Sequence, residues 1–502
     1  MRAPNSPVAR AAVASRLIIH AVAVAIVTSA AMAQQPAPPK PQAVVLKGNA
    51  PVSDKVLAVR LPRPKEGTLV NGLHLIVLED HRTPQVSFSM LIPGAGGFFD
   101  PPGSVGLASV TASMMREGTV SRTTQQISEQ LETMAAALNV GTGMASLDAT
   151  ISGSALTEYT EKLFDLTTDL LLHPTFPDEE FAKLRQRTGA QLAQQRSIPQ
   201  FLAQELWAKI VYGDHPASRI AMTPADLGKV TRDQMVEYHR THYVPDHAVI
   251  AVAGDISYAA AEKLIETRLG PWKKAGTPVP VAKDPPKGVP AKVWLVDRPN
   301  SVQTNFVVGS PAIERTNPDY DALQLMNSVI GGGPTGRLFT HLREEKGYTY
   351  GAYSGVSAGR FKGTWSAQTD VRSEVTEPAL TDLMDEVRQM RDVTVPAKEL
   401  QDKKRSLVAS FALSLESPQQ VLNYYVTRWL YRLPADYWDK YPERIMRVTS
   451  DDVQAMAKKY LDPANVQIIA VGDGKKVEGI LRKFGPLEVF DTEGQKVSRV
   501  VP

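Results

Sequence analysis

An internal repeat constrains this chain more than any other feature. Val230 opens VTRDQMVEYHRTHYVPDHAVIAVAGD, and Val448, 218 positions later, opens VTSDDVQAMAKKYLDPANVQIIAVGD. Each copy has a Thr cap before a helical pattern, an aromatic near the helix end, a Pro in the turn, an apolar strand and a closing Gly-Asp. Two copies of one α+β unit are therefore predicted. Between them, 270–291 (GPWKKAGTPVPVAKDPPKGVPA) reads as a Pro- and Lys-rich linker. The chain divides into halves at 55–271 and 292–490, with the linker at 272–291 and a tail at 491–502. Its 502 residues exceed what one hydrophobic core serves, which agrees with two domains. Such a duplicated fold tends to close around a shared cavity, each half supplying different groups.

Within the first half, TLVNGLHLIVLEDHRTPQVSFSMLIPGAG alternates apolar and polar residues around Asn71-Gly72, the signature of a hairpin and a further strand. Helices are predicted over 105–116, 124–138, 157–172 and 178–195, and a strand over 146–152. At the N-terminus, Arg2, Arg10 and Arg16 precede the apolar run 17–33, which ends on Ala31-Met32-Ala33. That is the pattern of a secretory signal peptide cleaved after Ala33. A Pro-, Ala- and Gln-rich leader follows at 34–54. No later segment has the ~18 apolar residues of a spanning helix, so an exported, periplasmic protein with no membrane attachment after signal removal is expected. The absence of cysteine excludes disulfides, thiolate metal sites and a cysteine nucleophile. A net charge of +3 with no basic stripe among aromatics points away from nucleic acid.

The densest candidate stretch is 331–354, GGGPTGRLFTHLREEKGYTYGAYS. A short helix ending near Gly347 is predicted, with an extended run from Tyr348. Arg343 and Tyr350 then sit across a helix-to-strand corner as two donors suited to a carbonyl oxygen gaining negative charge. Spacing alone favours the plainer reading, a solvated Arg and a half-buried Tyr. Glu344 and Glu345, beside Lys346, read as a solvated helix end. His239, His242 and His247 form the best histidine constellation, and residual metal binding there stays open. The second copy of the repeat, which has lysines and Asn in their places, argues against it. No Gly-x-Ser-x-Gly elbow follows a strand with a suitably placed His, which argues against serine catalysis.

Together these features resemble the pitrilysin family of zinc metallopeptidases, which includes insulysin and the mitochondrial processing peptidase. The resemblance spans nearly all of the chain beyond the signal. It implies two homologous halves, each a mostly antiparallel sheet flanked by helices, enclosing a chamber with a partner subunit. Catalytic members carry H-x-x-E-H on a helix, two imidazoles one turn apart with the Glu acting on the zinc-bound water. Here the frame GLASVTASMMREGT keeps Gly106, Leu107, Ala108, Met114, Gly118 and Thr119. Ser109, Ala112 and Ser113 stand at the His, Glu and His positions, and Leu184 is aligned with the further Glu ligand.

RLFTHLREEKGYTYGAYS, in contrast, is similar to the family pattern R-L-x-x-x-L-R-x-x-x-G-x-x-Y. The resemblance implies that Arg343 and Tyr350 bind the scissile carbonyl, that Arg337 and Leu338 pack the helix start, and that Gly331, Gly332 and Gly333 touch peptide. The stretch 138–153 corresponds to a sheet edge offered to extended peptides, or to an ordinary core strand. The expectation is an exported subunit with no metal of its own, inactive alone and paired as a heterodimer with a related zinc-bearing subunit on peptide substrates. The alternatives are a catalytically inert peptide-binding or assembly protein, and an autonomous hydrolase using another metal site.

Overall fold

The computed structural model describes residues 57, 59–288 and 290–497. The expected signal peptide, the whole of the leader and the last five residues of the tail lie outside these. The repeat is the organising element. Its two strands, β6 (Val249–Gly254) and β11 (Gln467–Gly472), are buried along their whole length, as expected of apolar runs covered on both faces. The preceding helices, Arg232–His242 and Ser450–Tyr460, each begin with a capping box, Thr231 with Gln234 and Thr449 with Asp452.

Each half forms one six-stranded mixed sheet. The first is ordered β1 (Lys65–Thr68), β2 (His74–Glu79), β6, β3 (Gln85–Pro93), β5 (Asp148–Leu156), β4 (Ala137–Gly141). The second runs β12 (Leu487–Phe490), β7 (Lys292–Asp297), β11, β8 (Gln303–Pro311), β10 (Thr364–Arg372), β9 (Ala352–Ser357). The registers superpose: Ser87 faces Ser154 and Ala253 in the first sheet, as Asn305 faces Asp370 and Val471 in the second. One edge differs. β1 pairs antiparallel from upstream of its sheet, whereas β12 comes from the far C-terminal side and pairs parallel. The predicted turn at Asn71-Gly72 links β1 to β2, and Gly72 holds the positive φ of +91° that such a turn asks of glycine.

Element bounds moved where a helical or strand pattern met a sheet. The helix from Thr124 stops at Thr133 because β4 begins at Ala137, and the strand expected over 146–152 runs from Asp148 to Leu156. The extended run begins at Ala352, four residues after Tyr348.

Packing crosses the division of the chain. The helix Pro199–Tyr212, from the first half, covers the second sheet, with Leu206, Trp207 and Val211 in one buried cluster with Trp294, Val307 and Ile469. Reciprocally, Pro418–Leu430 covers the first sheet, placing Val421, Leu422 and Tyr425 with Ile76, Leu78 and Val249. Ion pairs of Arg428 with Glu66 and Arg360 with Asp148 also join the halves. Each sheet is thereby closed by a helix from the other half.

Candidate functional site

The helix Leu107–Met114 carries the altered motif. Gly106 precedes it with φ +93°, and a Cβ there would lie 2.6 Å from Met222 Cε, so the entry requires glycine. The Asp100 carboxylate accepts from Gly106 N–H (2.6 Å) and Ala108 N–H (2.8 Å), satisfying two donors of the helix start. Along the helix, Ser109 is half-buried, Ala112 is buried and Ser113 is exposed, its hydroxyl donating back to Ser109 C=O at 2.9 Å. Leu184, on the helix Asp178–Gln195, lies in the hydrophobic core of the first half. Two hydroxyls, a methyl and an isobutyl group offer neither imidazole nor carboxylate, so these residues do not fit zinc.

The three histidines are each engaged elsewhere. His239 meets Leu171 C=O at 2.8 Å and stacks on Tyr243, His242 meets Gly94 C=O at 2.7 Å and stacks on Tyr238, and His247 contacts Thr277 C=O. Burial holds His239 and His242 below the usual imidazole range, favouring the neutral rings that fit these packed positions. Their ring nitrogens point at separate main-chain segments. No group of three or more His, Asp or Glu able to hold a metal occurs among the described residues.

Burial pushes the Asp100 carboxyl up to about 6, against the opposing pull of the Ala108 and Gly106 amides and of Arg219. Because the folded value exceeds the unfolded one, this carboxyl contributes stability that is fully present below about pH 4 and lost as pH rises through about 6. The effect is on the order of 2–3 kcal/mol. Asp100→Asn, which keeps an acceptor without the charge, is expected to remove that component. Urea unfolding of both forms at steps from pH 4 to pH 7 checks it, since the difference in stability must change across this window.

At the other candidate, Arg337–Phe339 is helical and continues as a π-helical turn over Thr340–Glu345, a wide-turn geometry frequent at functional sites. Two helices far along the chain grip its inner side. Glu399 takes Arg337 in a two-pronged pair (2.8 and 2.7 Å), Lys403 Nζ donates to Thr335 C=O (2.6 Å), and Glu386 meets His341 Nδ1 at 2.9 Å. Leu338 and Leu342 are fully buried beneath. Arg343 is left on the outer side, 44% exposed, over the Phe339 ring at 4.8 Å and 3.3 Å from Glu344.

Phe339 in turn packs against Tyr353 at 5.4 Å, and Tyr353 and Tyr350 line one cavity of about 410 Å³. Tyr350 is 85% exposed, and its phenol has no hydrogen-bond partner among the described residues. The Thr349 hydroxyl, bonded to Gly351 N–H and to Thr369, holds the short loop between turn and strand.

The three glycines differ. Gly331 is buried, its C=O accepting from Ser354 N–H (2.8 Å), and a Cβ there would lie 2.6 Å from Ser354 Oγ. Gly333 has open space around it and Gly332 is exposed. The hub of this corner is a residue that sequence reading passed over. Asn327 Oδ1 accepts from Ser354 Oγ (2.8 Å) and Trp365 Nε1 (3.0 Å), tying the glycine turn to β9 and β10.

Two family models match the chain. "Insulinase (Peptidase family M16)" covers residues 75–225, and "Peptidase M16 inactive domain" covers residues 229–407. The uncharacterized zinc protease YmxG of Bacillus subtilis is 26% identical over 361 residues, 70% of this chain and 85% of that protein. The non-peptidase homolog YmxG of Helicobacter pylori is 23% identical over 407 residues, 80% of this chain and 92% of that protein. A solved peptidase M16 inactive domain from Pseudomonas fluorescens aligns with a TM-score of 0.75 and 25% identity, covering 82% of this chain and 98% of its own.

Proposed function

The chain belongs to the M16, or insulinase, family of peptidases, and on that footing we propose that it is the non-zinc subunit of a two-chain metallopeptidase. A related subunit with an intact H-x-x-E-H contributes the zinc. This chain contributes Arg343 and Tyr350, which bind the scissile carbonyl of a peptide and stabilise the oxyanion that forms on it. The observation that carries the reading is a contrast within one chain. Every zinc position is changed, while Arg343 and Tyr350 stand on an outward surface whose inner side is held by Glu386, Glu399 and Lys403.

The Arg343 guanidinium lies over Phe339, which packs on Tyr353, and the Tyr350 phenol lines a cavity with Tyr353; both groups are donors, chemistry that favours an anionic oxygen. Gly332, exposed, and Gly333, half-buried with open space beside it, are the glycines of the turn left to meet peptide. Export to a periplasm belongs to the same proposal. No helix among the described residues is long and apolar enough to cross a membrane.

The alternative is a catalytically inert peptide-binding or assembly protein. Complete loss of the zinc donors favours it, and an outward Tyr350 with no hydrogen-bond partner is what it leaves unexplained. The test is to recover the tagged full chain from its source cells and measure zinc and peptide cleavage. Expected are no zinc in the isolated chain, about one zinc in a complex with an H-x-x-E-H protein, and cleavage by that complex only. Stoichiometric zinc with cleavage by the isolated chain overturns the proposal, and zinc-bearing complexes without cleavage favour the inert reading.

A further inference from the structure

We infer that the outer face of the second sheet holds a pocket for a cationic side chain, lysine or arginine, of an extended peptide, built on Asp370 and Asn305. The cavity of about 410 Å³ beside Tyr350 is lined in part by these two residues, which face each other across β8 and β10. Its size falls in the range of small-ligand sites, roughly 300–1,000 Å³.

Asn305 is only 4% exposed, yet its amide nitrogen has no hydrogen-bond partner. Turning that amide over exchanges the buried donor for an acceptor, which a donor-only cation can meet. Half-buried Asp370 is the one formally charged residue lining the cavity, and no cation pairs with it among the described residues. Its nearest hydrogen-bonding contact is Gln303 Nε2 at 3.5 Å. Arg372, two residues along the strand, is drawn to Glu374 at 3.2 Å.

Around this carboxylate stand the Tyr350 and Tyr353 rings, whose faces attract cations, and the paired amides of Gln204 and Gln368 (3.0 Å). The Asn305 amide can turn its oxygen toward a guanidinium or ammonium, which carries donors only.

The duplicated fold provides an internal comparison. At the positions matching Asn305 and Asp370, the first sheet has Ser87 and Ser154. They line the corresponding cavity of about 580 Å³, where the charged residue, Asp80, is already bound by Arg82 at 2.6 Å. An unpaired carboxylate beside an unpaired amide is thus particular to the face next to Tyr350.

That a peptide reaches this face rests on the proposed function, but the test reads binding to the isolated full chain and needs no partner. A positional-scanning library of acetylated Ala/Ser decapeptides, each with one varied residue, is incubated with the immobilised chain. Arg or Lys peptides are expected to be retained about tenfold over their Gln and norleucine counterparts. Asp370→Asn, close to isosteric, should abolish the difference, Asp370→Lys should turn the preference to Asp and Glu, and Asn305→Asp should strengthen it. Equal retention of Arg and Gln peptides, no retention of any peptide, or a preference that survives Asp370→Asn overturns the inference. Loss of the catalytic role of Tyr350 would leave this binding result standing.

Discussion

Tyr350→Phe and Arg343→Ala, each assembled with the zinc-bearing partner, are expected to lower kcat by about 10²–10³-fold, the usual cost of removing one oxyanion donor. The expectation is sharp because neither change disturbs the fold. The Tyr350 phenol has no partner to lose, and the phenyl ring of the variant keeps the wall it provides. Arg343 loses a ring contact with Phe339 and a surface pair with Glu344, together about 1 kcal/mol or less at such exposure. Melting temperature and complex formation by gel filtration should therefore move little while turnover collapses. Arg343→Lys, which keeps the charge without the planar fork, should recover only part of the activity. Turnover undiminished in both primary variants would remove Arg343 and Tyr350 from the reaction.

The second large effect concerns how the halves are joined. Trp207→Ala should cost about 3–5 kcal/mol, the range for truncating a buried Trp. Trp207 is 5% exposed on a helix encoded in the first half and packed on the sheet of the second. Its ring lies 2.7 Å from where a Cβ on Gly309 would be, so Gly309→Ala should be unfavourable too, by about 1–3 kcal/mol through overpacking. Urea denaturation gives the size of each effect. Proteolysis within the linker between the halves, 272–291, should rise in parallel, because the helix that leaves the second sheet is one of two straps across the division. A loss below about 1 kcal/mol in Trp207→Ala would mean that the exchanged helix contributes little to holding the halves together.

Much of the architecture was legible because it is encoded locally. Thr231 and Thr449 announce helix starts through side chains that reach only three residues ahead, and the apolar runs that follow could only be buried strands. Leu338 and Arg337 were readable as packing residues, and the structure places one in the core and the other against Glu399. The contact that holds the π-helical turn was not legible, since Glu386 and His341 meet across 45 positions. Nor was the role of Asn327, whose amide gains meaning only beside Ser354 and Trp365. Asn305 and Asp370 belong to the same class: 65 residues separate them in sequence, and a sheet register makes them neighbours.

By itself the sequence determined that the fold is duplicated, where several helices and strands lie to within a few residues, and that Ser109, Ala112, Ser113 and Leu184 carry no imidazole or carboxylate. Each of these follows from residue type and short-range spacing. The tertiary structure alone decided which sheet each crossing helix covers, that Arg343 is left outward from a turn gripped on its inner side, and that one sheet face keeps an unpaired carboxylate where its twin has serine. The reason is physical. Hydrogen-bonded caps and periodicity act over a few residues, whereas apolar burial is non-directional, so an amphipathic helix specifies that it must be covered and leaves its partner to the packing of the whole.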